Sequence, residues 1–317
     1  MSSLIEQATQ RLEQLRKAGA VIEDVSFAPI AAIRNEPRAL PELTELSAAE
    51  SGVPSRPSVS SKRVDLDFEA LERNGIVTPR APRSRIADQY RVVKRPLIRN
   101  AMGKGTAAIA HGNLIMVTSA LAGEGKSFTS LNLAISIAAE LDNTVMLVDA
   151  DVARPSILPM LGLPAGRGLL DVLEDSAELS SVLLRTNIDK LTILPSGTAH
   201  PRATELLASE AMRNLLNDIA TRYADRIVIF DSPPLLLTTE ARVLASHMGQ
   251  VVVVVQAGKT LQSDVQSALA TIDSCPVRMM LLNQAEAGSN GSYGYGYGYG
   301  GYGYGYGRSP ESDKQPA

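Results

Sequence analysis

Residues 120–127 read Ala-Leu-Ala-Gly-Glu-Gly-Lys-Ser, a short glycine-bearing stretch that closes on Lys126-Ser127. Glycines let backbone N–H groups turn toward an anion, a lysine at the end reaches phosphate oxygens, and the hydroxyl beside it can ligate Mg²⁺. Such a loop does this work when it leaves a strand and enters a helix, because the helix N-terminus adds partial positive charge where the anion sits. The flanks fit: Leu114-Ile115-Met116-Val117 is an apolar β-type run, and residues 128–141 carry apolar helical periodicity. The residues assigned to the nucleotide phosphates are Ala122, Gly123, Glu124, Gly125, Lys126, Ser127 and Phe128. Lys126 is expected on the β- and γ-phosphates and Ser127 on Mg²⁺. Where such loops usually begin with glycine this chain has Ala120, small enough to keep a negative φ.

Three acids complete the set. Asp149 and Asp151 follow the β-type run at 144–148, and Asp231 follows the run at 227–230. All three are expected just past the carboxyl ends of parallel strands, where open α/β sheets place their ligands. Asp231 reads as the acid that holds Mg²⁺ through water, with Asp151 as its partner, since Mg²⁺ keeps several waters and takes few carboxylates. Asp149 is left as the base or orienting group for an attacking hydroxyl.

These residues need a scaffold, and the chain supplies an α/β rhythm. Strands are expected at 114–117, 144–148, 191–194, 227–230, 251–255 and 278–282, with helices over 204–223 and 261–272. Continuous β-branched runs alternating with helices predict a doubly wound, mostly parallel P-loop sheet flanked by helices. The domain built on this sheet is placed at residues 88–287. Before it stand an amphipathic helix within 1–20, bearing Leu4, Ile5, Ala8, Leu12 and Leu15 on one face, and a flexible linker over 21–87 containing a short helix at 67–73. After it comes a tail, 288–317, whose stretch 291–307 alternates Gly with Tyr and is expected to be disordered. The fold is thus α/β with a helical and disordered N-terminal extension and a disordered C-terminal tail.

Thirty-one basic residues face 34 acidic ones, so no global charge points to nucleic acid. Between Arg73 and Lys104, however, nine Lys or Arg accompany a single acid, Asp88, which suggests a solvated linker, a subunit contact, an anionic membrane surface or nucleic acid, the last disfavoured because Tyr90 is the one aromatic there. Cys275 is the one cysteine; it excludes an internal disulfide and a four-thiolate metal site, and its setting predicts a small core residue. Neither a signal-like start nor an apolar run of membrane-spanning length is present, so the expectation is a cytoplasmic protein recruited to the inner membrane through a partner.

Taken together, the loop ending GEGKS, the run VMLVDADVARP, the run IVIFDSPP and a terminal tyrosine cluster resemble the bacterial tyrosine autokinases of polysaccharide export, over roughly residue 86 to the end. The resemblance implies ATP and Mg²⁺, and implies for Lys126, Ser127, Asp149, Asp151 and Asp231 the roles given above. It implies that Tyr293, Tyr295, Tyr297, Tyr299, Tyr302, Tyr304 and Tyr306 accept phosphate. It places Asn283 against the adenine, and it adds the segment 194–197 with 205–207. Asp88, Arg91 and Lys94 match the family's oligomerisation helix, with Lys in place of a second Arg that would fork bidentately. The implied partners are further copies in a ring, a membrane-embedded chain-length-determinant protein that activates the kinase, and a phosphotyrosine phosphatase; no nucleic acid is expected. The amino-terminal helix, residues 64–79 and residues 94–97 look like the stand-alone branch from exopolysaccharide loci. One departure falls at Ala153, where the family carries arginine, with Arg154 next. The competing reading is a Min- or Par-like ATPase switch, but its signature lysine early in the loop is replaced here by Leu121. A nucleotide-binding scaffold with a merely adhesive tail is the third.

Overall fold

The computed structural model describes residues 61–105, 108–222 and 225–285. The helix expected within 1–20, most of the expected linker and the tyrosines of the tail lie outside the described residues.

Eight strands form one sheet: β1 (Lys62–Arg63), β2 (Leu114–Ser119), β3 (Thr144–Asp149), β4 (Leu184–Arg185), β5 (Leu191–Leu194), β6 (Arg226–Asp231), β7 (Gln250–Gln256) and β8 (Val277–Asn283). Their spatial order is β1-β4-β5-β3-β6-β2-β7-β8. Every neighbouring pair is parallel except β4 with β5. All six strands expected from the apolar runs are present; the two-residue β1 and β4 are too short to leave a periodic trace. Among the described residues the helices are α1 (Phe68–Arg73), α2 (Arg85–Ala101), α3 (Lys126–Ala138), α4 (Ile157–Met160), α5 (Leu169–Leu173), α6 (Leu179–Val182), α7 (Ala203–Leu207), α8 (Glu210–Arg222), α9 (Thr239–Ala245) and α10 (Gln262–Ala270).

The strand alternation sorts side chains into two cores. Leu114, Met116, Met146, Val148, Val228, Phe230, Val251 and Val253 pack with Met212, Leu216 and Ile219 of α8 and Leu244 of α9. Ile115, Val117, Val145, Leu147, Ile227, Ile229, Val252 and Val254 pack with Leu71, Tyr90 and Leu97 of α1 and α2 and with Leu131 and Ile135 of α3. Both faces are covered, so the central strands need apolar residues at every position, which is why they read as unbroken runs. Cys275 is buried in the first core, as expected.

Two boundaries differ from expectation. Residues 61–87, assigned to the linker, belong to the domain. Leu66, Leu71, Ile76 and Val77 are buried, β1 pairs with β4, and two buried amides staple the segment down. Asn132 accepts the Val77 N–H at 2.7 Å, and Asn187 both accepts from the Leu66 N–H at 3.0 Å and donates to its carbonyl at 3.1 Å. The helix expected over 204–223 is broken after Leu207, because the Ser209 hydroxyl accepts the Met212 N–H and starts α8 afresh. No helix among the described residues is long and apolar enough to cross a membrane.

Candidate active site

The order β3-β6-β2 brings the chemical residues together. Asp149 and Asp231 are register partners on adjacent parallel strands, and Val117 of β2 pairs with Asp231 on its other side. The loop that leaves β2 therefore begins beside the acid ending β6, with the acid ending β3 one strand farther on.

At the loop, Gly123 and Gly125 have φ of 87° and 91°, in the left-handed region that favours glycine. Gly125 caps α3, its φ demands glycine, and a Cβ there would meet Asn283 Nδ2 at 2.1 Å and displace that side chain. Lys126 opens α3 and its Nζ lies 2.8 Å from Asp151 Oδ2, in a largely buried ion pair. The other oxygen of Asp151 accepts the Arg154 N–H at 3.2 Å.

Asp231 is fully buried. Ser130 Oγ donates to its Oδ1 at 3.0 Å, while Oδ2 has no protein partner. Burial pushes its carboxyl up to about 6, against the opposing effects of the Ser127 hydroxyl, the Lys126 charge and Ser130. Asp149 is likewise buried. Its Oδ2 accepts the N–H groups of Ser156 and Ile157, each at 3.1 Å, at the start of α4, and its Oδ1 is unpartnered. Burial, followed by the negative charge of Asp231, raises Asp149 to about 7.

Asp149 also lines a cavity of about 630 Å³. Pro155, Leu158 and Leu163 give it apolar walls; Arg167, Gly197 and Thr198 stand among the other lining residues. The backbone here is held by Asp171, a residue the sequence reading passed over. Its carboxylate accepts the N–H groups of Gly168 and Thr198 at 2.8 and 3.0 Å and the Thr198 hydroxyl at 3.0 Å. Burial favours its protonated form, but these bonds and that from Arg167 outweigh it and hold the carboxyl below its ordinary range. A lone acid inside Leu169-Leu170-Asp171-Val172-Leu173 was the available signal. Ser130 was missed too, although it lies one helical turn beyond Lys126.

The donor set fits a Mg²⁺ ion. Asp231 Oδ2 is buried without a hydrogen-bond partner, the Ser127 hydroxyl acts on the same carboxyl, and Mg²⁺ in phosphoryl-transfer sites uses one or two such carboxylates together with water and substrate phosphate. Among the described residues no cluster of three acidic, His or Cys side chains could hold an ion unaided.

The expected adenine contact, Asn283, stands at the end of β8 and donates from Nδ2 to the Glu124 carbonyl at 2.9 Å. With Phe128 it lines a separate cavity of about 410 Å³ shared with Arg85, Gln89 and Tyr90. The expected oligomer contact is only half at the surface. Asp88 and Arg91 pair with each other on the exposed side of α2. Lys94, by contrast, is 5 % exposed, its ammonium 2.6 Å from Glu140 and donating to the Ser136 carbonyl at the end of α3. Its long stem spans the α2–α3 packing and ties the two helices together. Replacing Lys94 with Glu is expected to destabilise the domain by about 3–5 kcal/mol, because it buries an unpaired charge next to Glu140. Urea unfolding checks this; a loss below ~1 kcal/mol would return Lys94 to the surface.

A strand, glycine loop and helix carrying lysine and serine, with acids at the ends of two neighbouring strands, define a P-loop nucleotide-binding protein. A protein-family model described as an AAA domain matches residues 112–283. The chain is 29 % identical to tyrosine-protein kinase YwqD of Bacillus subtilis over 226 residues, 71 % of this chain and 91 % of that protein. It is 32 % identical to tyrosine-protein kinase CpsD of Streptococcus agalactiae over 190 residues, 57 % of this chain and 81 % of that protein. The kinase domain of Escherichia coli tyrosine kinase ETK shares the fold, with a TM-score of 0.59 and 24 % identity over 76 % of this chain and 94 % of that one. The chain belongs to the bacterial tyrosine-protein kinase family within the P-loop ATPases.

Proposed function

We propose that this chain is an autokinase, moving the γ-phosphoryl group of ATP to the tyrosines of its own C-terminal tail, between subunits, and that the modification regulates exopolysaccharide polymerisation or export. The observation that carries this reading is Asp149. It is a buried carboxylate with one oxygen anchored on two backbone N–H groups and the other unpartnered, and it borders a cavity of about 630 Å³. A group with a pKa raised to about 7 suits a general base at neutral pH.

In this scheme Lys126 leaves Asp151 for the phosphates of ATP. Asp149 takes the phenol proton as the tyrosine oxygen attacks the γ-phosphorus, the bond from that phosphorus to the β–γ bridging oxygen breaks, and ADP departs. Mg²⁺, when bound to Ser127, Asp231 and Asp151, would neutralise the charge gathering on the phosphates. The exposed Asp88–Arg91 pair on α2 serves subunit contact in this reading, and a membrane-embedded activator and a phosphatase complete the cycle. The division into a kinase domain followed by an acceptor tail at 288–317 belongs to the same proposal.

Covalent reach supports transfer between subunits. Gln284 to Tyr293 is nine residues, at most ~30 Å at ~3.3–3.6 Å per residue. Each phosphotyrosine adds about −1.5 to −2 charges, so seven would add roughly −10 to −14 per chain and loosen an assembly in which tails converge. A Lys126→Ala chain with intact tail is mixed with an active chain whose seven tail tyrosines are Phe, in Mg²⁺-ATP, and phosphate is mapped by mass spectrometry. Phosphotyrosine on the inactive chain is expected. Unlabelled inactive chain, where wild type labels fully, would establish transfer within one subunit.

A further inference from the structure

We propose that Glu124 is a positioning residue for nucleotide binding, its buried side chain bracing the phosphate-binding loop from behind. An acid inside an anion-binding loop is electrostatically misplaced unless its charge is engaged elsewhere, and a buried carboxylate without donors is costly. Glu124 is 2 % exposed, and both its oxygens are occupied. Oε2 accepts the Leu121 N–H at 2.6 Å, which closes the loop on itself across three residues. Oε1 accepts the Thr260 hydroxyl and, at 3.5 Å, the Gln256 N–H, which tie the loop to the end of β7 and the turn that follows it. Thr260 Oγ1 accepts the Gln256 N–H at 3.1 Å, so its own hydrogen is free for the carboxylate.

The end of β8 completes the brace. Asn283 Nδ2 donates to the Glu124 carbonyl at 2.9 Å, and Gln284 Nε2 to the Gly123 carbonyl at 3.4 Å. In a trans peptide the carbonyl and the following N–H point opposite ways. Holding those two carbonyls toward β8 therefore aims the N–H groups of Glu124 and Gly125 away from it, as donors free for phosphate. The side chain of Glu124 holds the loop in this arrangement before any nucleotide arrives, and so removes ordering that binding would otherwise have to supply.

This inference rests on the loop binding nucleotide and is independent of which group accepts the phosphate. The test is calorimetric titration of the full-length protein with Mg²⁺-ADP, beside urea unfolding without nucleotide. Glu124→Ala leaves the Leu121 N–H and the Thr260 hydroxyl without their partner, and is expected to weaken ADP affinity about tenfold. Thr260→Val is expected to weaken it about threefold, with Thr260→Ser restoring wild-type affinity. Glu124→Gln should recover much of the loss, since its amide oxygen can accept from Leu121 and its nitrogen donate to Thr260 Oγ1. The pair acts as one unit, so the Glu124→Ala/Thr260→Val protein should bind no more weakly than Glu124→Ala alone. Wild-type affinity in Glu124→Ala, or multiplying effects in the double variant, would overturn the proposal. If Glu124→Ala does not fold, Thr260→Val and Glu124→Gln carry the test, and unchanged affinity in Thr260→Val overturns it. Normal ADP binding to the wild-type protein that makes no phosphotyrosine would count against the kinase reading alone.

Discussion

Replacing Lys126 with Ala is expected to lower phosphotyrosine formation by about 10²–10³-fold, the usual consequence of deleting a preorganised charge aimed at a transition state. The structure adds a complication that the experiment must separate. Lys126 also neutralises Asp151, whose side chain is only 4 % exposed, and its loss strands that acid with a single backbone donor. Some stability should fall with the rate, because breaking a buried pair from one side leaves an uncompensated charge. Combining Lys126→Ala with Asp151→Asn removes the stranded charge. Urea unfolding of this double variant should return toward wild type while transfer stays absent. Recovery of activity along with stability would mean that Lys126 is structural, and near-normal phosphotyrosine in the single variant would undo the site.

Asp149→Asn should abolish transfer, by about 10²–10⁴-fold, while leaving Mg²⁺-ADP binding close to wild type. The amide oxygen can still accept the Ser156 and Ile157 N–H groups, so the shape at α4 persists, but no proton can be taken from a phenol. Loss of ADP binding, with undiminished chemistry per bound nucleotide, would make Asp149 a metal ligand and exchange its role with that of Asp151. The pH behaviour gives a second reading of the same group. Transfer should rise with pH as the base ionises; the value of about 7 belongs to the metal-free site, and a cation held beside Asp231 would draw it down. Stability runs the other way. A carboxyl whose folded pKa lies above its unfolded value holds its proton more tightly when folded, so its contribution is complete below about pH 4 and is lost as pH rises toward about 7. The wild-type protein should therefore unfold at lower urea near pH 8 than near pH 6, and Asp149→Asn should flatten that difference. Register pairing with Asp231, itself raised to about 6, means that some slope will survive in the variant. A variant with the full wild-type slope would show that Asp149 is ionised throughout.

What the sequence by itself determined is whatever depends on local order along the chain. The six long strands were legible because a sheet covered on both faces requires apolar residues at every position, which leaves unbroken runs such as Val251–Val255. Lys126, Ser127 and the acids were legible because a phosphate loop is contiguous and its acids end strands. Tertiary structure alone decided what depends on residues meeting across long separations. Asn132 and Asn187 draw residues 61–87 into the domain through partners 55 and 121 positions away, and no composition rule distinguishes such a segment from a linker. Lys94 reads as a surface charge in a basic stretch, and only the packing of α2 on α3 shows that it is buried against Glu140. Strand order belongs to the same class. Asp149 and Asp231 stand 82 positions apart in the chain, yet they are neighbours because β6 inserts between β3 and β2. That adjacency, combined with burial, gives Asp149 its pKa near neutrality, because the energy of a buried charge depends on the groups packed around it in space.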